Sequence, residues 1–423
     1  MAFSLWGVEH PDPILVESYA ARQNNLRISI VTETFPPEVN GVAMTLGRIV
    51  EGVLQRGHAV QVVRPRQSLE PPQSNREGLD QVLATGLPLP GYGDFRFGLP
   101  ARSRLTKLWS HSRPDVVHVV TEGPLGWSAV AAARKLGLPV TSSFHTNFQS
   151  YSGHYGIGLL KGPIESYLRK LHNRTQATLV PTRAMMQALQ AQGYHNVGLL
   201  SRGVATDLFT PTRRSQELRN TWGAGPDDLV VLLVGRLAKE KNVALVLKAF
   251  EAIQQRHPSA KLVFVGDGPL RESMQLTCPQ AIFCGSRKGA DLAAHYASGD
   301  LFLFPSLTET FGNVVPEALA SGLAVVSYAC AAAQELIDPG HSGLLAEPGD
   351  EAAFVSSALA VADNQTLRQT LRQAAPAGVA HLGWDDIFDG FLDTLTRVVQ
   401  RHGQPFAAAG TTSGAKAVRH SSA

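Results

Sequence analysis

From Leu26 onward, apolar runs of strand length alternate with segments of helical length. Ile28–Thr32, Val60–Val63, Val116–Val120, Val140–Phe144 and Thr178–Val180 are rich in β-branched residues. Such runs suit strands buried on both faces of a parallel sheet. Their alternation with helices predicts an α/β fold made of βαβ units. The pattern restarts at Leu229–Leu237 (LVVLLVGRL) and continues through Lys261–Val265, Ile282–Cys284, Leu301–Phe304 and Ala324–Ser327. The polar stretch Thr206–Asp228, with Pro211, Arg213, Arg214 and Pro226, reads as an interdomain linker. The expected organisation is an irregular extension over 1–25, one doubly wound domain over 26–205, a second over 206–382, and a disordered small-residue tail over 403–423.

Two such domains facing each other enclose a cleft, and open α/β sheets bind ligands beyond the carboxyl ends of their strands. The residues just after each run are therefore the candidates. After Leu301–Phe304 comes PSLTETFGNVVPEALASG. Glu309 lies in the loop, and Glu317 lies in a helix predicted from Asn313 to Ser321 that stops at Gly322. Both carboxylates can accept from sugar or ribose hydroxyls. The amides of Phe311, Gly312 and Asn313 at the helix start can face a phosphate. In VGRLAKEKN, Arg236 and Lys241 supply two cations at a strand end, suited to a diphosphate that gains charge as it departs. In PPEVNGVAMTL, Gly41 opens a helix at a further phosphate-facing turn. His145, in SSFHTNF, stands at another strand end, where it can reach a donor-sugar hydroxyl or polarise the reacting centre. Glu122 and Gly123 follow a strand and can line the acceptor side, whereas His118, inside VVHVV, reads as a core residue. Taken singly, each feature also has an ordinary reading: solvated carboxylates at a helix cap, a basic turn with Glu240 as partner, a plain βα loop, a structural histidine.

Composition narrows the classes. A chain of 423 residues is long for one domain, and 44% apolar residues supply material for two cores. A net charge of +3 with no dense basic stripe argues against nucleic acid as a partner. Three cysteines, Cys278, Cys284 and Cys330, without a CxxC spacing suit a reducing compartment. MAFSLWGVEHPDP lacks the features of a signal peptide, and no apolar run reaches membrane-spanning length. There is no GxxxxGK[ST], HExxH, GxSxG or Asp-x-Asp spacing, and no GxGxxG after the first strand. Neither a metal site nor a cofactor is expected.

The NGV loop, the SFHTNF strand end, GRLAKEKN and the Glu309-x7-Glu317 segment together resemble glycosyltransferase family 4, over roughly residues 26 to 400. The resemblance implies a GT-B fold, two Rossmann-like domains facing across a donor cleft, and a last helix over 383–402 that returns to the first, acceptor-binding domain. It implies that Glu317 binds the nucleotide ribose and that Glu309 holds sugar hydroxyls. Arg236 and Lys241 would grip the diphosphate, Gly41, Phe311, Gly312 and Asn313 would complete its cradle, and His145 would contact the donor sugar near the reacting carbon. The implied activity is metal-independent hexosyl transfer with retention, from a GDP- or UDP-hexose to a lipid or glycan acceptor, in the cytoplasm. TEGPLGWSA (Thr121–Ala129) and HTNFQSYSGHYG (His145–Gly156) most resemble bacterial mannosyl, sulfoquinovosyl and diacylglycerol glycosyl transferases. The basic amphipathic segment Leu159–Arg174 fits either peripheral contact with the inner face of the cell membrane or a core-facing helix with solvated charges. The loop Leu89–Pro100 is a candidate wall of the acceptor pocket. The competing functions are a sugar-nucleotide epimerase and a non-catalytic sugar-nucleotide-binding protein on the same fold.

Overall fold

The structure, a computed structural model, describes residues 25–38, 40–67, 76–88, 96–145 and 161–402. The extension up to residue 24, the tail from Gly403, most of the Leu89–Pro100 loop, and residues 146–160 lie outside the described residues. In chain order the strands are β1 (Arg27–Val31), β2 (Ala59–Pro65), β3 (Leu79–Ala84), β4 (Gly86–Pro88), β5 (Arg96–Gly98), β6 (Val116–Val119), β7 (Val140–Ser143), β8 (Ala177–Val180), β9 (Val197–Leu199), β10 (Val230–Val234), β11 (Lys261–Val265), β12 (Ile282–Phe283), β13 (Leu301–Phe304), β14 (Ala324–Tyr328) and β15 (Gly343–Ala346).

The first sheet is parallel with order β3-β2-β1-β6-β7-β8-β9, and the second is parallel with order β12-β11-β10-β13-β14-β15. β4 and β5 form a separate antiparallel pair. Read from its own first strand, the second sheet has the doubly wound order 3-2-1-4-5-6, whose direction reverses between β10 and β13; the first sheet reverses between β1 and β6. The continuous apolar runs are explained by burial on both faces. In β10, Val230, Leu232 and Val234 enter one core, while Val231 and Leu233 enter the other. Of the strands in the two parallel sheets, the apolar pattern did not disclose β3, β9 and β15, which lie at sheet edges and are partly exposed; β3 carries polar residues, and β9 and β15 are only three and four residues long.

The segment Thr206–Asp228 is not a linker. Phe209, Trp222 and Ala224 are buried in the second lobe, and Arg219 is fully buried on the helix Gln216–Thr221. Arg219 donates to Asp300 (3.0 Å) and to the carbonyls of Ser298, Gly225 and Asp228. A polar composition here reflects a buried ion network. The chain instead crosses between lobes near Arg202–Ala205 and returns near Leu382–Trp384, where Val204 N–H donates to Leu382 O (2.9 Å).

The last helix, Trp384–His402, packs Phe391, Leu392 and Leu395 into the first lobe's core. Arg56 fastens its start through Asp385 (2.9 Å) and Asp389 (2.6 Å). The contact is close: a Cβ on Gly52, in the helix Gly41–Gln55, would lie 2.3 Å from the Phe388 ring. Gly52→Ala is therefore expected to destabilise the protein by about 1–3 kcal/mol through overpacking, measured by urea unfolding. Combining it with Phe388→Leu should recover part of the loss. An unchanged midpoint in the single variant would mean that the helix is not held there.

Among the described residues of the Leu159–Arg174 segment, the helix Lys161–His172 turns Leu168 and Leu171 into the core, with Ile164 packed against it. The apolar residues Ile164, Leu168 and Leu171 of this helix are thus packed within the first lobe. No helix among the described residues is long and apolar enough to cross a membrane.

Candidate active site

The carboxyl edges of both sheets meet at a cavity of 690 Å³. The first lobe contributes Gly41, Met44, Thr45 and Arg48 from the helix Gly41–Gln55. The second contributes Gly235 and Arg236 after β10, Gly266–Gly268 after β11, Ser286–Gly289 after β12, and Asn313 and Glu317. Glycine is required where two of these loops touch. Gly266 has φ +141°, and a Cβ there would lie 1.9 Å from Gly235 O.

Of the residues expected from sequence, Gly41, Arg236, Asn313 and Glu317 line this one cavity. Arg236 is exposed and makes no hydrogen bond or ion pair among the described residues. Glu317, on the helix Val314–Ala320, accepts from Tyr296 OH (2.9 Å). Burial pushes its carboxyl up to about 7, against the lowering effect of that hydrogen bond and of Arg48. Gly312 has φ +85°, which aims the chain into the helix. The amides of Gly312 and Asn313 make no hydrogen bond among the described residues, and the buried Oδ1 of Asn313 has no partner there either. At the opposing turn, Asn40 Oδ1 already accepts from the Val42 (3.1 Å) and Ala43 (2.9 Å) amides, so only the edge of that turn at Gly41 is open to a ligand.

Lys241 and Glu309 stand slightly apart from the cavity wall. Leu307 N–H donates to Glu240 O (3.0 Å), which ties the loops after β10 and β13 together. Lys241 Nζ then donates to Glu309 Oε1, and Ser306 Oγ donates to the same oxygen (2.8 Å). Lys241 thus pairs with Glu309, and the ordinary reading of this turn, with Glu240 as partner, does not hold for it. Glu309 and Thr310 also border a smaller cavity of 270 Å³, with Phe144 and residues of the helix Arg183–Ala191. Phe311 is buried beneath the guanidinium of Arg202, 6.0 Å from ring centre to Cζ.

His145 follows β7 and is partly buried at the junction of the lobes. Its carbonyl accepts from Thr310 Oγ1 of the second lobe (2.8 Å), and its Nδ1 lies 3.1 Å from Arg202 Nη2. Burial, then Arg202, hold its imidazole well below the usual histidine range. His118 is a core residue, held by Thr141 (2.9 Å) and Ser143 (3.0 Å) and lowered to about 3 by burial.

Glu122 and Gly123 do not line the main cavity. Glu122 is buried with its Oε1 3.6 Å from His172 Nε2, and its carbonyl accepts from Tyr167 OH (2.8 Å). Gly123 leaves room for Glu33, whose carboxylate would be 2.1 Å from a Cβ there. Glu33 sits at the end of β1, accepts from Gly98 N–H (3.3 Å), and is raised to about 7 chiefly by burial. Its position after a strand was a usable signal. Arg48 and Arg202 are not indicated by sequence, because Arg48 lies inside the helix Gly41–Gln55 and Arg202 follows β9, a three-residue edge strand that the apolar pattern does not disclose. Among the described residues no group of three or more His, Cys, Asp or Glu could hold a metal ion.

Facing parallel sheets with a shared basic and carboxylate-bearing cavity at their switch points define a two-domain group-transfer enzyme of the GT-B architecture. The profile described as "Glycosyltransferase Family 4" matches residues 39–232, and that described as "Glycosyl transferases group 1" matches residues 228–364. A GDP-mannose-dependent alpha-mannosyltransferase of Mycobacterium tuberculosis is 35% identical over 374 residues, 87% of this chain and 95% of that protein. Sulfoquinovosyl transferase SQD2 of Arabidopsis thaliana is 30% identical over 85% of this chain and 71% of that protein. Among solved structures, Anabaena Alr3699/HepE in complex with UDP and glucose superposes with a TM-score of 0.69 at 18% identity, covering 88% of this chain and 100% of that one. The chain belongs to glycosyltransferase family 4 and is an enzyme of the hexosyltransferase class.

Proposed function

We propose that this enzyme transfers a hexose of the mannose or glucose type from a GDP- or UDP-sugar to a lipid or glycan acceptor, with retention of anomeric configuration. The observation that carries the reading is the joint lining of one interlobe cavity by Arg236, with no internal partner among the described residues, and Glu317, a half-buried carboxylate held by Tyr296. In this reading Glu317 accepts from the ribose hydroxyls. Arg236, assisted by Lys241, neutralises the diphosphate. The Gly312 and Asn313 amides and the Gly41 turn complete its cradle around Phe311. Glu309 holds sugar hydroxyls, His145 contacts the sugar near its reacting carbon, and the Glu122–Gly123 edge borders the acceptor side. The bond from the anomeric carbon to the phosphate oxygen breaks as the bond to the acceptor oxygen forms on the same face, and the acceptor's proton passes to the departing phosphate.

The names of the relatives support a nucleotide-sugar donor and a glycolipid or glycan product. A lipid acceptor would bring the enzyme to the inner face of the membrane as a peripheral protein, and three free cysteines suit the cytoplasm. The test is incubation of the purified enzyme with GDP-mannose or UDP-glucose and a lipid extract, with a metal chelator present. Release of nucleoside diphosphate that requires the acceptor, with an α-linked product, is expected. Epimerised donor, or tight donor binding with no turnover, would replace this reading with one of the two competing functions.

The Glu317 assignment has a pH signature. The free enzyme protonates this carboxyl as pH falls through about 7, and a neutral acid accepts hydroxyl hydrogen bonds less well than a carboxylate. Donor KM is therefore expected to rise up to about tenfold from pH 8 to pH 6. Glu317→Gln should raise donor KM at pH 8 and flatten this dependence. A pH profile unaltered by Glu317→Gln would remove the residue from the ribose site.

A further inference from the structure

Arg202 is buried, 6% exposed, at the point where the chain crosses between lobes, and its surroundings are unlike those of a structural arginine. Among the described residues it has no carboxylate in salt-bridge contact, and its buried Nε has no hydrogen-bond partner. Leaving such a group unsatisfied costs stability. Its contacts converge instead on the reacting end of the cleft. Nη1 donates to Thr45 Oγ1 (3.4 Å) on the first lobe's helix, the guanidinium lies over Phe311 of the second lobe, and Nη2 meets His145 Nδ1 (3.1 Å).

The last contact determines the state of the imidazole. A guanidinium has only donors, so Nδ1 of His145 must be the acceptor and must carry no proton. A neutral imidazole with a bare Nδ1 has its proton on Nε2, which makes no hydrogen bond among the described residues. We propose that Arg202 is a positioning residue that locks His145 as the neutral Nε2–H tautomer, so that His145 can only donate a hydrogen bond towards the donor sugar and cannot take the acceptor's proton. The inference rests on the proposed transfer reaction for its catalytic meaning, and on geometry alone for the tautomer.

The charged and titratable groups around the pair agree. Burial, then Arg202, then His118 and His172, all disfavour protonation of His145, while Glu309 is the carboxylate whose field favours the Arg202 cation. Thr310 Oγ1 holds the His145 carbonyl from the other lobe, so ring and backbone are fixed from two sides. With Nε2 already protonated, His145 offers no place for the proton released by the acceptor hydroxyl, which accords with its passage to the departing phosphate in the proposed same-face substitution.

The experiment uses the full chain labelled with 15N-histidine, with His145→Gln to assign its signals. The free enzyme should show the Nε2–H tautomer of His145, with no titration between pH 5 and 8. Arg202→Met removes both the donor and the charge; it should mix the tautomers, bring the His145 titration into the measured range, and lower kcat about tenfold or more with a smaller change in donor KM. Arg202→Gln keeps a donor without charge; it should keep the tautomer, raise the His145 pKa, and recover part of kcat. If Arg202→Met is unfolded, the wild-type spectrum and the Gln variant still decide the matter. An Nδ1–H tautomer in the wild type, its titration near pH 6.5, or a tautomer unmoved by Arg202→Met would overturn the inference. The expected spectra in a protein that turns over no nucleotide sugar would leave the tautomer standing and reject the transfer reading instead.

Discussion

Arg236→Ala is expected to lower kcat about a hundredfold or more, as loss of one preorganised electrostatic stabiliser does in other enzymes. The residue stands directly after β10, on the glycine-built rim of the cavity, and no group among the described residues neutralises it. Its charge is therefore available to a ligand, and it matters most when the diphosphate departs and its negative charge is greatest. Lys241→Ala should also reduce kcat by about that factor, for a different reason. Lys241 is paired with Glu309, so its loss removes a cation and alters the position of a carboxylate assigned to the sugar. A cycle of Lys241→Ala, Glu309→Gln and the double variant separates the two effects, with coupling expected because the side chains are in contact. Steady-state kinetics at saturating donor are the measurement. Rates near wild type in both Arg236→Ala and Lys241→Ala would refute the diphosphate assignment.

The largest stability effect is expected far from the cavity, at Asp300. This carboxylate is 5% exposed. Its Oδ1 accepts from Arg214 (2.8 Å) and Arg372 (2.9 Å), and its Oδ2 accepts from Arg219 (3.0 Å) and from the Val230 amide (2.9 Å). Asp300→Ala would leave the fully buried Arg219 cation with only carbonyl partners, and removal of one member of a buried ion pair costs about 3–5 kcal/mol. Unfolding of the second lobe, followed by intrinsic fluorescence of Trp222 in urea, should shift to much lower denaturant. Asp300→Asn, which keeps hydrogen-bonding capacity but loses the charge, should fall between. A loss below about 1 kcal/mol in Asp300→Ala would mean that solvent reaches the network and screens it. The same network explains why Thr206–Asp228 is folded into a lobe: Arg214 and Arg219 are committed to Asp300, beyond the reach of any local pattern.

The central strands were legible because burial on both faces writes a run of apolar residues directly into the chain, as in β10 and β13. Edge strands such as β3 and β9 were not, since one neighbour and partial exposure relax that demand. The same distinction holds in the site. Arg236, Glu317 and Gly41 could be read because each follows a strand or opens or occupies the helix beyond it, and strand ends converge in this class of fold. Glu33 obeys the same rule and was overlooked. Arg48 could not be found this way and Arg202 follows an edge strand that the pattern hides; both matter through residues remote in the chain, Arg202 by contact with Thr45 and His145 and Arg48 by its field on the Glu317 carboxylate.

By itself, the sequence determined the alternation of strands and helices, the repetition of that pattern in two lobes, and the chemical types standing at the strand ends, because these depend on neighbours within one or two turns of chain. The tertiary structure alone decided which of those groups share a cavity, that Lys241 is held by Glu309 while Arg236 has no such partner among the described residues, that Glu122 and Gly123 lie away from the main cavity, and that Arg202 reaches the ring of His145. Distances and desolvation set those outcomes, and both arise only when segments remote in the chain are packed against one another.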